Sequence, residues 1–155
     1  MSDLDLVLTR RMAVSPARVW RAWTEPKLLE QWFGPKPLIV RNAVIDLRPG
    51  GEFSSLMVMP DGAEFPNSGC ILLIEPERRL IFTECLTAGF RPVASPMLMM
   101  TAEMTFEPDG NGTLYTARVM HPDKATRDKH AEMGFHDGWG TAATQLEALA
   151  KTLTG

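Results

Sequence analysis

The sequence lacks most of the features that announce a function. It has two cysteines, Cys70 and Cys85, too few for a stapled scaffold, and in a reducing compartment they read as small buried hydrophobes rather than as a disulfide. No apolar run reaches the roughly 20 residues that a membrane helix needs. The opening MSDLDLVLTRR has no basic segment followed by an apolar core, so no signal peptide, no membrane insertion and a cytoplasmic location are expected. Lys and Arg are scattered and the net charge is −3, which leaves no basic face for phosphates and makes nucleic acid an unexpected partner. No nucleophile elbow, phosphate-cradling glycine loop, dinucleotide fingerprint or pair of catalytic carboxylates occurs. The residues therefore imply no cofactor and assign no catalytic group.

What the chain does have is apolar patterning. With 155 residues, 45% of them hydrophobic, it fits one domain over 1–155 that buries roughly two-thirds of its unfolded surface. Leu4, Leu6 and Leu8 alternate with Asp5, Val7 and Thr9 in a first strand ending near Met12. Ser15 then caps a helix whose first position is Pro16 and whose stripe is Val19, Trp20 and Trp23. A second short helix is expected over 27–33, closed by Gly34 and Pro35. From 38 to 120, turn signals such as Arg48-Pro49-Gly50-Gly51 and Pro108-Asp109-Gly110 cut six strands, near 38–47, 52–59, 67–75, 79–87, 97–107 and 113–120. The clearest alternation sets Leu98, Met100, Ala102, Met104 and Phe106 against Met99, Thr101, Glu103, Thr105 and Glu107. That dry face is expected to look at the C-terminal helix, and the 88–96 connection to form a mobile loop at the rim of a cavity.

Residues 129–154 contain no proline and repeat Phe135, Trp139, Ala143, Leu146, Ala150 and Leu153 at helical spacing. Read as one helix, the stretch is long enough to cross the domain. The composition is thus α+β: about six or seven antiparallel strands in a curved sheet around a long C-terminal helix, with two short helices after the first strand. A curved sheet gripping a helix leaves room for a mostly apolar cavity. The ligand-binding residues expected there are Trp139, His136, Phe135, Met133 and Ala143 on the helix and Met100, Met104 and Glu84 on the sheet. Trp139 leads because Gly138 and Gly140 beside it weaken a helix by about 1 kcal/mol each, which implies close backbone approach or space left open.

The remaining chemistry is sparse. His130 and His136 are rotated by about 240° on a helix and share no face, so with His121 they read as surface or capping residues rather than metal ligands. Glu84 falls in line with Leu80, Phe82 and Leu86; it either meets water at a sheet edge or sits in the cavity with a raised pKa. Tyr115 and Arg118 belong to opposite faces of the last strand, so at most one points inward. Met57 and Met59 in one strand, and Met97, Met99, Met100 and Met104 in another, fill a core or line an adaptable pocket.

Ser15-Pro16-Ala17-Arg18-Val19-Trp20-Arg21-Ala22-Trp23-Thr24, Pro26, Gln31-Trp32-Phe33-Gly34-Pro35, Arg48-Pro49-Gly50-Gly51, Gly134-Phe135, Gly138-Trp139 and Gln145-Leu146 follow one another in an order that resembles the SRPBCC (START-like) superfamily. Within it the sequence is similar to the branch homologous to the C-terminal domain of the activator of heat-shock protein 90 ATPase. The resemblance implies a helix-grip fold with a deep hydrophobic pocket between the long helix and the sheet. A small hydrophobic ligand is the expected partner. A chaperone-facing interaction role, or an enzyme using His136 or Glu84 in the same cavity, are the alternatives that one fold with many functions leaves open. Oligomeric state is not encoded in any motif.

Overall fold

The computed structural model describes residues 2–96 and 98–154. Met97, counted above with the strand at 97–107, lies outside them. The long alternating segments form the centre of the sheet. Strand β9, Thr101–Asp109, and strand β10, Gly112–Met120, pair antiparallel across a tight turn. Ala102, Met104 and Phe106 of the first and Tyr115, Ala117 and Val119 of the second are all buried on one face. Outside them lie β1, Asp5–Met12, beside β10, then β6, Arg79–Thr83, beside β9, and β5, Cys70–Glu75, beyond β6, giving the order β1-β10-β9-β6-β5.

A second ladder is made of β2, Ile39–Ile45, β3, Phe53–Val58, and β4, Glu64–Asn67. Backbone bonds join the two: Gly50 donates to Ile71, Ile71 to Gly51 and Phe53 to Gly69. The sheet therefore continues round a bend from β5 to β3. A two-residue hairpin of β7, Leu86–Thr87, and β8, Arg91–Pro92, hangs from it.

The strand count is ten among the described residues, not six or seven. The additional ones carry no period-two signal: β4 is largely exposed and contains Pro66, as an edge strand tolerates, and β7 and β8 are too short to alternate. The stretch 79–87 ends its ladder at Thr83 because the chain turns there, and the loop at 88–96 is partly ordered by that hairpin.

Helix α1, Pro16–Thr24, starts at Ser15, whose backbone carbonyl accepts from Arg18 and Val19 while its hydroxyl makes no cap. It stops where Pro26 forbids continuation. Helix α2, Pro26–Leu29, is shorter than the expected 27–33 and runs on to Phe33 as hydrogen-bonded turns. Trp23 sits at the centre of an aromatic cluster: its ring centroid is 4.8 Å from Trp32, and Phe53 stacks on Phe82 at 4.5 Å. Each such ring buries on the order of 150–250 Å² of surface, so this cluster dominates the core.

The C-terminal stretch is not one helix. Helix α3, Lys124–Glu132, and helix α4, Phe135–Thr152, are separated at Gly134, whose φ of 91° lies in the left-handed region. Asp123 opens α3 by accepting from the Thr126 amide at 2.8 Å. The apolar spacing correctly marks the face of α4, but α3 has its own phase. Helix α4, about 27 Å long, packs on α1 and on β1. The dry face of β9 meets α1, where Trp20 contacts Phe106 edge-on at 5.6 Å, and the chain just before β9, at Leu98 and Met100, borders an open space.

Candidate functional site

That open space is a cavity of about 260 Å³ between α4, the end of α3, the turns after α2 and the concave side of the sheet. Its walls are mainly aromatic and aliphatic: Trp23, Trp32 and Phe33 on one side, Leu98 and Met100 on the sheet, Phe135, Trp139, Ala142 and Ala143 on α4. One side chain of α4 ties down the rim of the site. Gln145 donates through Nε2 to the carbonyls of Trp32 at 2.8 Å and Gly34 at 2.9 Å, and its Oε1 accepts from the Lys36 amide at 3.0 Å. These bonds satisfy loop groups that have no regular partner and clamp the rim carrying Pro35 and Leu38 to the helix.

Trp139, Phe135, Met133, Ala143, Met100 and Glu84 are brought together at this cavity. Met133 is 59% exposed and stands at the mouth. Met104 and His136 are not there. Met104 is fully buried in the core, because the cavity overlies only the Met100 end of the strand. His136 is exposed, its ring against the outer edge of Phe135, because α4 begins just before it and turns it away. None of residues 88–96 lines the cavity either; the rim is supplied by the turns after α2.

The glycines flanking Trp139 serve two different ends. A Cβ on Gly140 would meet the Arg10 guanidinium at 2.8 Å, whereas a Cβ on Gly138 would meet nothing within 4 Å. Gly138 belongs to the cavity wall.

The polar groups in this apolar setting are few. Glu84 faces the cavity, and burial raises its pKa to about 7. Tyr115 points inward and burial raises its hydroxyl above the ordinary range, while Arg118 points outward to Asp5 at 2.9 Å and Glu103 at 3.3 Å. The Trp23 indole N–H faces the Tyr115 hydroxyl without closing a well-formed bond, and Asn67 Nδ2 also lacks a partner among the described residues. Among the described residues, no Lys or Arg lines the cavity.

His130 is the group that sequence reasoning missed. It is 7% exposed, lines the cavity, and its Nδ1 is 2.9 Å from Nε2 of the equally buried His121, whose Nδ1 is 2.7 Å from the Leu4 carbonyl. Burial, followed by the neighbouring His121, lowers its pKa to about 4. Reading α3 and α4 as one helix gives His130 the wrong phase; His121, outside that stretch, is likewise buried rather than at the surface. Asp123 as a cap and Gly134 as a stop were the available signals. No group of three or more His, Cys, Asp and Glu side chains is arranged to hold a metal among the described residues. Cys70 is buried and Cys85 half-buried, both as free thiols. No helix of the described residues is long and apolar enough to cross a membrane.

The family profile described as "Activator of Hsp90 ATPase homolog 1-like protein" matches residues 13–151. A crystal structure of a protein from Nitrosomonas europaea is 49% identical, with a TM-score of 0.94 over 98% of this chain and 97% of that one. A crystal structure from Mycobacterium smegmatis is 25% identical, with a TM-score of 0.80 over 98% and 93%. The solution structure of a protein from Arthrobacter aurescens is also 25% identical, with a TM-score of 0.83 over 98% and 88%. No curated protein matches.

Proposed function

The chain belongs to the family of activator of Hsp90 ATPase homolog 1-like proteins, a branch of the SRPBCC superfamily whose helix-grip fold it shares, and on that premise we propose that it binds a small hydrophobic molecule in the cavity between α4 and the sheet. The observation that carries the reading is Gly138. A glycine inside a helix costs about 1 kcal/mol relative to alanine, and here it leaves empty space in a wall that an alanine would enter. A cavity lined by Leu, Ile and Phe of about 150 Å³ takes up benzene, so 260 Å³ suits a ligand of roughly two fused rings. Its affinity comes chiefly from burying apolar surface at about 25 cal/mol per Å², with Glu84, Tyr115 and His130 setting orientation.

The test is titration of the protein with an environment-sensitive naphthalene dye, followed by competition with fatty acids, flavonoids and unsubstituted naphthalene. Saturable binding, weakened in Trp139→Phe at equal folded fraction, is the expected result. If the whole panel fails to bind while the protein accelerates the ATPase of a chaperone from its own organism, the interaction reading that the family's description suggests replaces this one.

A further inference from the structure

The two buried histidines fix each other's protons. The Leu4 carbonyl can only accept, so the neutral His121 ring must carry its hydrogen on Nδ1 to make the 2.7 Å contact. Its Nε2 is then a bare lone pair. The 2.9 Å contact to His130 Nδ1 therefore requires that His130 donate from Nδ1, which leaves His130 Nε2 without a hydrogen. That nitrogen has no partner among the described residues, although the ring is buried and lines the cavity. The atom is open to the cavity rather than sealed in the core, so its hydrogen bond is left to whatever fills that space. Phe135 packs edge-on against the ring at 5.2 Å and holds its plane.

Granted that the cavity holds an apolar ligand, we propose that His130 is the ligand's polar anchor, a hydrogen-bond acceptor at Nε2 kept in that tautomer by His121, which selects uncharged hydroxylated apolar molecules over the corresponding ethers and carboxylates. An ether offers no hydrogen to Nε2. A carboxylate offers none either, meets no Lys or Arg, and shares the cavity with the Glu84 carboxyl. His130 is a specificity residue that touches the ligand, and His121 a positioning residue that acts through it.

The experiment uses three probes of one shape: 2-naphthol, 2-methoxynaphthalene and 2-naphthoate. Side-chain ¹⁵N NMR of the whole protein at pH 7.5 is expected to find the His130 hydrogen on Nδ1 and an unprotonated Nε2 whose resonance moves on adding 2-naphthol and stays in place with 2-methoxynaphthalene. The affinity ratio of 2-naphthol to 2-methoxynaphthalene is expected to fall roughly 2- to 10-fold in His130→Phe, with 2-methoxynaphthalene still bound as the control for folding. His121→Phe frees the tautomer and lowers the same ratio by a smaller factor. A His130 hydrogen on Nε2, a ratio unchanged in His130→Phe, or tighter binding of 2-naphthoate than of 2-naphthol overturns the proposal while leaving the cavity reading intact. Failure of all three probes to bind overturns the cavity reading and the anchor with it.

Discussion

His121 and His130, nine positions apart in the chain, face each other at 2.9 Å with their rings nearly perpendicular. Through Leu4 this contact joins the residue before β1, the residue after β10 and the last turn of α3. It closes the sheet edge against the helix just where the cavity begins. The pair is thus structural on one side and chemical on the other.

Two cavity groups whose titration falls in the acid-to-neutral range oppose each other in their effect on stability. His130 binds its proton at about pH 4 when folded and near 6.5 when unfolded, so the unfolded state holds more protons between these values and stability falls as pH drops through that window. Glu84 has a folded pKa of about 7 against 4.5, so the folded state holds more protons and stability falls as pH rises through 4.5 to 7. Between about 4.5 and 6.5 the two slopes, each at most about 1.4 kcal/mol per pH unit, largely cancel. Denaturant midpoints from pH 5 to 6.5 should therefore rise with pH in Glu84→Gln and fall with pH in His130→Phe, each relative to wild type. Parallel profiles in all three proteins contradict this.

Gln145 holds the rim through three hydrogen bonds, two of them to carbonyls of the turns after α2. Gln145→Ala strands those groups and should destabilise the domain by about 1–3 kcal/mol. Amide exchange should accelerate at residues 34–38 before anywhere in β9 or β10, since a local opening suffices to release the rim. Uniform acceleration across the sheet is the contrary result.

How much of this was legible depended on periodicity. Leu98, Met100, Ala102, Met104 and Phe106 announced an inward face and all five are buried, since period two survives wherever one side of a strand is wet. The stripe of Phe135, Ala143, Leu146 and Ala150 was equally clear. What periodicity could not supply was a phase break without a proline. Gly134 turns the chain with a single positive φ, and His130 before it is therefore expected at the surface when it lies in the cavity wall. Nor could alternation show that the cavity overlies Met100 but stops short of Met104, because both face inward and only the helices above them decide which stays uncovered. Trp23 and Trp32 belong to the core and Phe33 packs half-buried against it, yet all three also form one cavity wall. Packing and lining are the same residues seen from two sides.

Gly134 itself offers a direct test of that break. A side chain there meets nothing within 4 Å, so only the backbone conformation is at issue. Gly134→Ala should cost about 1–2 kcal/mol, the penalty of a left-handed L-residue, and Gly134→Asn less, because asparagine tolerates that region. Equal stability of all three proteins in urea would mean that the α3–α4 junction readily adopts another geometry.

Gly138 and Gly140 separate helix propensity from cavity volume. In both, alanine removes the backbone freedom of glycine and should favour the helix by about 1 kcal/mol. At Gly140 the new Cβ would lie 2.8 Å from the Arg10 guanidinium, the far end of a flexible side chain that can swing aside, so part of the gain is lost and the cavity is untouched. At Gly138 no atom opposes the methyl, so Gly138→Ala should raise the unfolding midpoint while lowering affinity for a naphthalene probe, and Gly138→Leu should abolish probe binding. A stabilised Gly138→Leu that binds the probe as tightly as wild type would place the ligand elsewhere. Stability and binding moving in opposite directions at Gly138, but not at Gly140, is the signature expected of space kept for a ligand.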